Sequence, residues 1–255
     1  MHTYLLIGSW LWFLLSFVIV GADIIIAFVL LLGVNRALLD LGRTKADRGR
    51  IVSILGFVLF GWLLLALFLG WQGIFRSALN QQVPYIALAI GIPILVGALF
   101  IRGSKQVREI VAAVPQSQLV AFQFYRVLGV TFLVVYAAGQ LPGIFALPAG
   151  CGDVMVGITA LMVGARVARS DNDQRVTLWN WLGISDLVIA LATGFLSAPS
   201  RFQIFSLDAP NVLIGSFPLV LVPIFAVPLS IVLHLASLSK IWAAHPSVMK
   251  QAVSA

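Results

Sequence analysis

The sequence predicts an all-α integral membrane protein, a bundle of seven transmembrane helices with the N-terminus outside and the C-terminus in the cytoplasm. Of its 255 residues, 61% are hydrophobic and only 10% are charged, and the mean hydropathy is +1.05. A soluble domain carries about 45–50% apolar and about 25% charged residues. The composition therefore excludes a water-soluble globule, a disordered chain and a coiled coil. The apolar residues also fall into seven runs, each long enough to cross a bilayer.

The first apolar run, residues 4–34, predicts one long or tilted helix. As a helix it would be about 46 Å long at 1.5 Å per residue, whereas the hydrocarbon core is about 30 Å thick. No Lys or Arg precedes the run and no A-x-A-like cleavage site follows it. These features argue against a cleaved signal peptide.

Six further runs complete a single polytopic transmembrane domain over residues 1–255. The predicted spans are residues 51–71, 83–101, 119–138, 149–165, 176–197 and 214–241. Two connections are longer than turns. Residues 104–118 mix charged side chains with Val and Ile, which predicts a short amphipathic helix along the cytoplasmic interface before Pro115. Residues 199–211 form the longest external connection and predict an ordered interfacial loop.

The basic residues of the loops give the direction of the helices. Thirteen of the 16 Lys and Arg residues lie in or beside alternate loops on one side, and two, Arg76 and Arg201, lie on the other. The positive-inside rule makes the first side cytoplasmic. The net charge of +7 is then a sign of topology, and nucleic acid is not an expected partner. The expected surroundings are the lipid bilayer of the plasma membrane, or of the inner membrane in a bacterium.

Candidate functional residues are the polar groups inside the spans, because ionisable side chains are costly in hydrocarbon and usually face a partner, a cavity or a pathway. A possible proton- or ligand-binding set consists of Asp23, Arg126, Asp153, Asp186, His234 and Asn180. Helix depths predict a polar column with Asp153 outermost, Asp23 and Asp186 central, and Arg126 and His234 innermost. Asp186, near the midplane, is expected to contact Arg126 or His234, directly or through water.

Three of these residues also allow a purely structural interpretation. Asp153 follows Leu147-Pro148-Ala149-Gly150, a typical helix start, and could cap the first turn. The long side chain of Arg126 could extend to the headgroups or form a structural ion pair. His234 could be a hydrogen-bonded packing residue.

Stripes of small residues predict where helices approach closely. On the fifth span the residues spaced by three and four are Gly150, Asp153, Gly157, Ala160 and Gly164. On the sixth span they are Gly183, Asp186, Ala190, Thr193 and Ser197. Small residues are enriched where transmembrane helices pack. We therefore expect the fifth and sixth spans to pack through these faces, with both carboxylates inside the bundle.

The seventh run contains Pro218, Pro223 and Pro228. Each proline lacks an N–H and frees a carbonyl one turn earlier, so this span is expected to bend.

The residue content disfavours several kinds of chemistry. The single cysteine, Cys151, excludes an intramolecular disulfide and a cysteine-based metal site, and no other metal site is expected. A retinal protein needs a Schiff-base lysine, yet the seventh run has none before Lys240. The sequence specifies no cofactor, and it favours a protein without enzymatic activity over an enzyme.

Three hypotheses of function remain. The first is proton-coupled or small-solute transport, supported by the column of ionisable groups and the proline-rich seventh run. The second is a membrane sensor or accessory protein that holds a small polar or lipid-like ligand between helices. The third is an intramembrane enzyme or haem protein that uses His234.

Overall fold

The computed structural model describes residues 8–76, 85–169, 173–205 and 211–244, and in these ranges it contains helices and turns but no strand. The first three helices are α1 (Ser9–Asp40), α2 (Lys45–Trp71) and α3 (Tyr85–Gly103). A short helix α4 (Lys105–Ala113) leads into a fourth span built from α5 (Gln116–Ala121), a 3₁₀ segment (Phe122–Gly129) and α6 (Val130–Ala137). Then come α7 (Gly143–Val167) and α8 (Asp173–Ser197). A 3₁₀ turn (Leu213–Gly215) and a π-helical turn (Val222–Ala226) precede α9 (Val227–Ala244).

In the described ranges, seven helical segments are long and apolar enough to span a membrane, as the sequence predicts. The outer surface of the bundle is apolar as well, with Phe17 81% and Phe57 82% exposed. Soluble monomers rarely expose large contiguous apolar patches. The seven helices therefore support a multi-pass transmembrane helix bundle.

The first span is one uninterrupted helix, α1, in the residues that the structure describes, so residues 9–34 do not form two short crossings. Residues 4–7 of the predicted span lie outside the described residues. The predicted helix before Pro115 is also present, as α4. The Ser104 hydroxyl caps it by accepting a hydrogen bond from the Val107 N–H at 3.3 Å. Arg43 Nη2 binds Glu109 Oε2 of α4 at 2.8 Å and so connects α4 to the end of α1.

The fifth and seventh spans begin at positions other than those predicted. Helix α7 begins at Gly143, six residues before the predicted start at residue 149, and Pro148 lies inside it. The seventh span begins at Val222 rather than at residue 214. Pro218 therefore precedes it, whereas Pro223 lies in the π-helical turn and Pro228 is the second residue of α9. Prolines lack the N–H that a regular α-helix needs, which explains the irregular start of this span.

The small-residue stripe of α7 is buried, as predicted, but its main neighbour is the fourth span. A Cβ at Gly150, Gly157 or Gly164 would lie 3.1, 3.1 and 2.9 Å from the carbonyl oxygens of Gly129, Phe124 and Ser117, respectively. The prediction that this stripe packs on the sixth span was wrong. The glycines instead let the backbone of the fourth span approach α7 directly.

Candidate functional site

The side chain of Arg126 joins three spans in the centre of the bundle. Its side chain is 2% exposed, and it projects from the 3₁₀ segment of the fourth span. Arg126 Nε donates to Asp153 Oδ1 of α7 at 2.7 Å, and Nη2 donates to Asp186 Oδ2 of α8. Nη1 donates to the Gly183 carbonyl of α8 at 3.1 Å. The planar guanidinium fork thus binds two carboxylates and one backbone carbonyl at once.

His234 of α9 lies against the other side of the guanidinium group. Its Nε2 is 3.4 Å from Arg126 Nη1, and its Nδ1 is 2.8 Å from Asn180 Oδ1. Asn180 Nδ2 donates to the Val176 carbonyl and to Ser237 Oγ, both at 2.8 Å. The amide oxygen of Asn180 must therefore accept from a protonated Nδ1. Nε2 of a neutral imidazole then presents its lone pair to Arg126.

We call the side chains of Arg126, Asp153, Asp186, His234 and Asn180 the central cluster. The structure thus brings five of the six predicted residues into one hydrogen-bonded group. The expected contact between Asp186 and Arg126 is present. Asp186 is the most accessible member of the ion pairs, with a side chain 18% exposed against 8% for Asp153.

The sixth residue, Asp23 of α1, lies next to the central cluster. It is 2% exposed, and no group in the described residues hydrogen-bonds to its Oδ2. It lines a small cavity of about 20 Å³ together with Tyr125, Arg126 and Asp153. A buried water needs roughly 10–15 Å³. The cavity therefore has room for a water molecule between Asp23 and the central cluster.

A second and larger cavity, of about 340 Å³, opens beside Asp153. It lies between the beginnings of α3 and α7, the end of α8 and the beginning of the seventh span. Asp153 is the only charged residue among the described residues that line it, and its other walls are apolar. Asp153 also lines the small cavity, as do Leu187, Val222 and Val227. The two cavities therefore adjoin at Asp153.

The structure corrects one interpretation of Asp153. The residue does not cap a helix start, because α7 begins ten residues earlier, at Gly143. Its carboxylate instead forms an ion pair with Arg126. The depth order, with Asp153 outermost and Arg126 innermost, stays a prediction. A Cβ at Gly129, three residues after Arg126, would lie 2.3 Å from Asp153 Cβ, so Asp153 and Arg126 do not lie at one level.

Several buried polar residues close to the central cluster were not among the predicted site residues. Gln116 Nε2 donates to Ser237 Oγ at 2.6 Å and extends the chain of hydrogen bonds from His234 and Asn180. Ser230 Oγ donates to Gln123 Oε1 at 2.6 Å, and Gln123 Nε2 returns a bond to the Ser230 carbonyl at 3.0 Å. The spacing of Ser230, His234 and Ser237 by four and three residues, which places them on one helix face, was the available signal.

Three glycines make room for the central cluster. A Cβ at Gly152 would lie 1.7 Å from Asp186 Oδ1, and one at Gly129 would lie 2.3 Å from Asp153 Cβ. A Cβ at Gly183 would lie 2.5 Å from His234 Cε1. The glycines that precede Asp153 and Asp186 in the sequence are therefore explained by the packing of charged side chains from neighbouring helices.

We expect Gly129→Ala to lower the free energy of unfolding by about 1–3 kcal/mol, the usual cost of overpacking. The new methyl group would collide with Asp153 Cβ, an atom fixed by the backbone of α7. Equilibrium unfolding in mixed micelles would measure the effect. Gly33→Ala is the matched control, because a Cβ there meets nothing within 4 Å. A loss of the same size in both variants would contradict the prediction.

The central cluster has no evident metal-binding geometry. In the described ranges of the chain, no group of three or more His, Cys, Asp or Glu side chains is arranged to hold a metal ion. Both ring nitrogens of His234 are engaged with Asn180 and Arg126, so the residues present do not fit an axial haem ligand. Ser185 lies on the exposed face of α8, away from the ion pairs, which disfavours a hydrolytic triad with Asp186.

One protein family model matches residues 83–242, and its description is Domain of unknown function (DUF8737). The match covers more than half of the chain and includes the fourth to seventh spans, which supply all five residues of the central cluster. Comparison with the curated proteins and with the solved structures gives no match.

Proposed function

We propose that the helix bundle binds a proton at the central cluster and couples proton binding to the transport of a small solute. The chain belongs to the family described as Domain of unknown function (DUF8737). The observation that carries the proposal is the contact of a single guanidinium with two carboxylates. With both carboxylates ionised, these three side chains have a net charge of −1. Insertion scales put the cost of a charged side chain at the bilayer centre at roughly 2.5–3.5 kcal/mol. A proton on one carboxylate would remove that net charge.

Asp186 is the proposed site of proton exchange. Its side chain is the most exposed of the three that form the ion pairs, which favours Asp186 over Asp153 as the group that gains and loses the proton. Protonation would weaken its attraction to Arg126 and leave the guanidinium paired with Asp153 alone. Because Arg126 joins the fourth span to α7 and α8, a change at Asp186 would alter the contact between these helices.

The two ends of the bundle differ in a way that suits transport. The large cavity lies towards the end where α3 and α7 begin and α8 ends. At the other end, hydrogen bonds among Asn180, His234, Ser237 and Gln116 close the space between the helices. Transporters expose a central site to one side of the membrane at a time. The positions of the basic residues support an outward-facing cavity and an external N-terminus. The proposal places the protein in the plasma membrane, or in the inner membrane of a bacterium.

A ligand-binding sensor or accessory protein is the second candidate. The apolar walls of the 340 Å³ cavity favour it, since pockets for small molecules are mostly apolar with a few polar groups that orient the ligand. A sensor would bind its ligand without moving it across the membrane. Solute flux therefore distinguishes the two candidates.

The experiment tests proton binding first and flux second. Infrared spectroscopy of the purified protein would follow the C=O stretch of protonated carboxyl groups as pH changes. We expect a band that titrates in the wild type and disappears in Asp186→Asn, which keeps an acceptor for Arg126 but cannot titrate. Asp40→Asn is the matched control, because Asp40 is 52% exposed and pairs only loosely with Arg36, at 3.7 Å.

Proteoliposomes with a trapped pH-sensitive dye would then be given small cationic, neutral and anionic solutes in turn. We expect at least one class to drive a pH change that the wild type shows and Asp186→Asn loses. An Asp186→Asn variant with the same titrating band and the same flux as the wild type would overturn the proposal. Binding without flux for every class would favour the sensor.

A further inference from the structure

We propose that the solute is a small organic monocation with an apolar body, of the alkylammonium class, and that it binds in the 340 Å³ cavity with its charged group at Asp153. This inference rests on the proposed function and names the substrate class of the same site. It follows from three observations: the size of the cavity, the chemistry of its walls and the charge of the central cluster beside it.

The cavity has the size and lining of a small-molecule site. Ligand pockets commonly measure about 300–1,000 Å³ and are lined mainly by apolar and aromatic side chains. Here the described walls are formed by aromatic and aliphatic residues, among them Phe132, Phe145, Ala190, Leu191, Phe195 and Ile214. A hydrated inorganic ion would gain nothing from these walls. An apolar body would lose its contact with water and be stabilised there.

The charge of the central cluster selects a monocation. Asp153 is the only charged residue among the described residues of the cavity wall. Its Oδ1 accepts the hydrogen bond from Arg126 Nε. With Asp153 and Asp186 ionised, the ion-paired groups carry −1. Asp23 is counted as neutral, because it is 2% exposed and its Oδ2 has no hydrogen-bond partner in the described residues, so an ionised form would be costly there. A monovalent cation would neutralise this charge, an anion would double it, and a neutral solute would leave it unchanged. The geometry therefore favours an ammonium group at Asp153.

The same charge balance links the solute to the proton. A proton on Asp186 and an ammonium group at Asp153 each neutralise the same net charge, and both together would leave an excess of +1. Binding of the organic cation therefore favours release of the proton, and protonation favours release of the cation. The expected coupling is an exchange of one for the other, with no covalent bond made or broken in the solute.

Thermal unfolding of the purified protein with hexylammonium, 1-hexanol and hexanoate would test the selectivity for a cation. The three probes have six carbon atoms each, and their polar groups are a cation, a neutral hydroxyl and an anion, respectively. We expect hexylammonium to raise the unfolding midpoint progressively with concentration, and the other two, and sodium chloride at equal ionic strength, to leave it unchanged. In weakly buffered solution, hexylammonium should also release protons from the wild type.

Two variants locate the site. Asp153→Asn should lose the hexylammonium shift. That change also breaks the ion pair with Arg126, so a second variant is needed that leaves the central cluster intact. Ala190→Leu meets this need, because Ala190 lines the cavity and the larger side chain would fill it. Its matched control is Ala165→Leu on the exposed face of α7, which should keep the full shift.

Each outcome decides the proposal. Equal shifts from all three probes, a shift from sodium chloride alone, or no shift from hexylammonium would overturn it. A full shift in Ala190→Leu would place the cation elsewhere and overturn it as well. The proposed function fails separately, if the infrared band does not titrate. A titrating band with flux of a neutral or anionic solute would keep the function and reject the substrate class.

Discussion

Arg126→Gln is expected to lower the free energy of unfolding by about 3–5 kcal/mol, the usual effect of removing one partner from a buried ion pair. The variant would leave Asp153 and Asp186 buried near each other without the guanidinium that now binds both. It would also remove the donor to the Gly183 carbonyl and the contact with His234. Equilibrium unfolding in mixed micelles would measure the loss.

Arg36→Gln is the matched control. Its side chain is 73% exposed and forms a 3.7 Å pair with Asp40, so a change of less than about 1 kcal/mol is expected. Adding Asp153→Asn and Asp186→Asn to Arg126→Gln should recover part of the lost stability, because the triple variant buries no unpaired charge. Similar losses in Arg126→Gln and Arg36→Gln, or no recovery in the triple variant, would mean that charge pairing does not stabilise the bundle.

The helices could be predicted from the sequence because their number depends mainly on hydrophobicity and length. Seven apolar runs became seven helical segments in the described ranges, and the interfacial segment before Pro115 became α4. The starts of two spans could not be predicted in the same way. Pro148 was predicted to precede the fifth span and Pro218 to lie within the seventh, yet the first lies inside α7 and the second precedes the seventh span. Neighbouring helices decide which proline is accommodated within a helix.

The sequence predicted which residues form the candidate site, but it did not predict how their side chains are arranged. Burying a charge is costly, so ionisable residues within apolar spans are expected to meet one another. Five of the six predicted residues do so, and Asp23 lies across a small cavity from them. Which atoms pair depends on the relative positions of helices, and these depend on packing. The sequence therefore indicated a contact of Asp186 with Arg126, but it did not predict that Asp153 binds the same guanidinium.

The 3₁₀ segment of the fourth span had no clear signal in the sequence. A 3₁₀ helix has three residues per turn, so residues three apart lie above one another. Its buried residues are Gln123, Arg126 and Gly129, all on one face. An ordinary α-helix would spread these residues over a wider arc. The tighter winding places the guanidinium of Arg126 against Asp153 of α7 and the amide of Gln123 against Ser230 of α9.

Gly157→Leu is expected to destabilise the bundle by more than the about 1–3 kcal/mol typical of overpacking by extra methylene groups. A Cβ at Gly157 would lie 2.7 Å from the Val127 backbone nitrogen and 3.1 Å from the Phe124 carbonyl oxygen. Both atoms belong to the 3₁₀ segment that carries Arg126, so they cannot move without shifting Arg126. The variant should therefore also weaken the ion pair with Asp153 and lose the titrating carboxyl band. Unfolding in mixed micelles and infrared titration would measure the two effects.

Gly61→Leu on α2 is the matched control for that substitution. Gly61 is exposed, and a Cβ there meets nothing within 4 Å, so the leucine would extend towards lipid. Replacing an exposed helical glycine should change stability little or raise it by up to about 1 kcal/mol, because leucine has the higher helix propensity. Equal unfolding midpoints for Gly157→Leu and Gly61→Leu would show that α7 and the fourth span do not pack through this face. A destabilised Gly157→Leu that kept the wild-type carboxyl titration would show that the packing does not position Arg126.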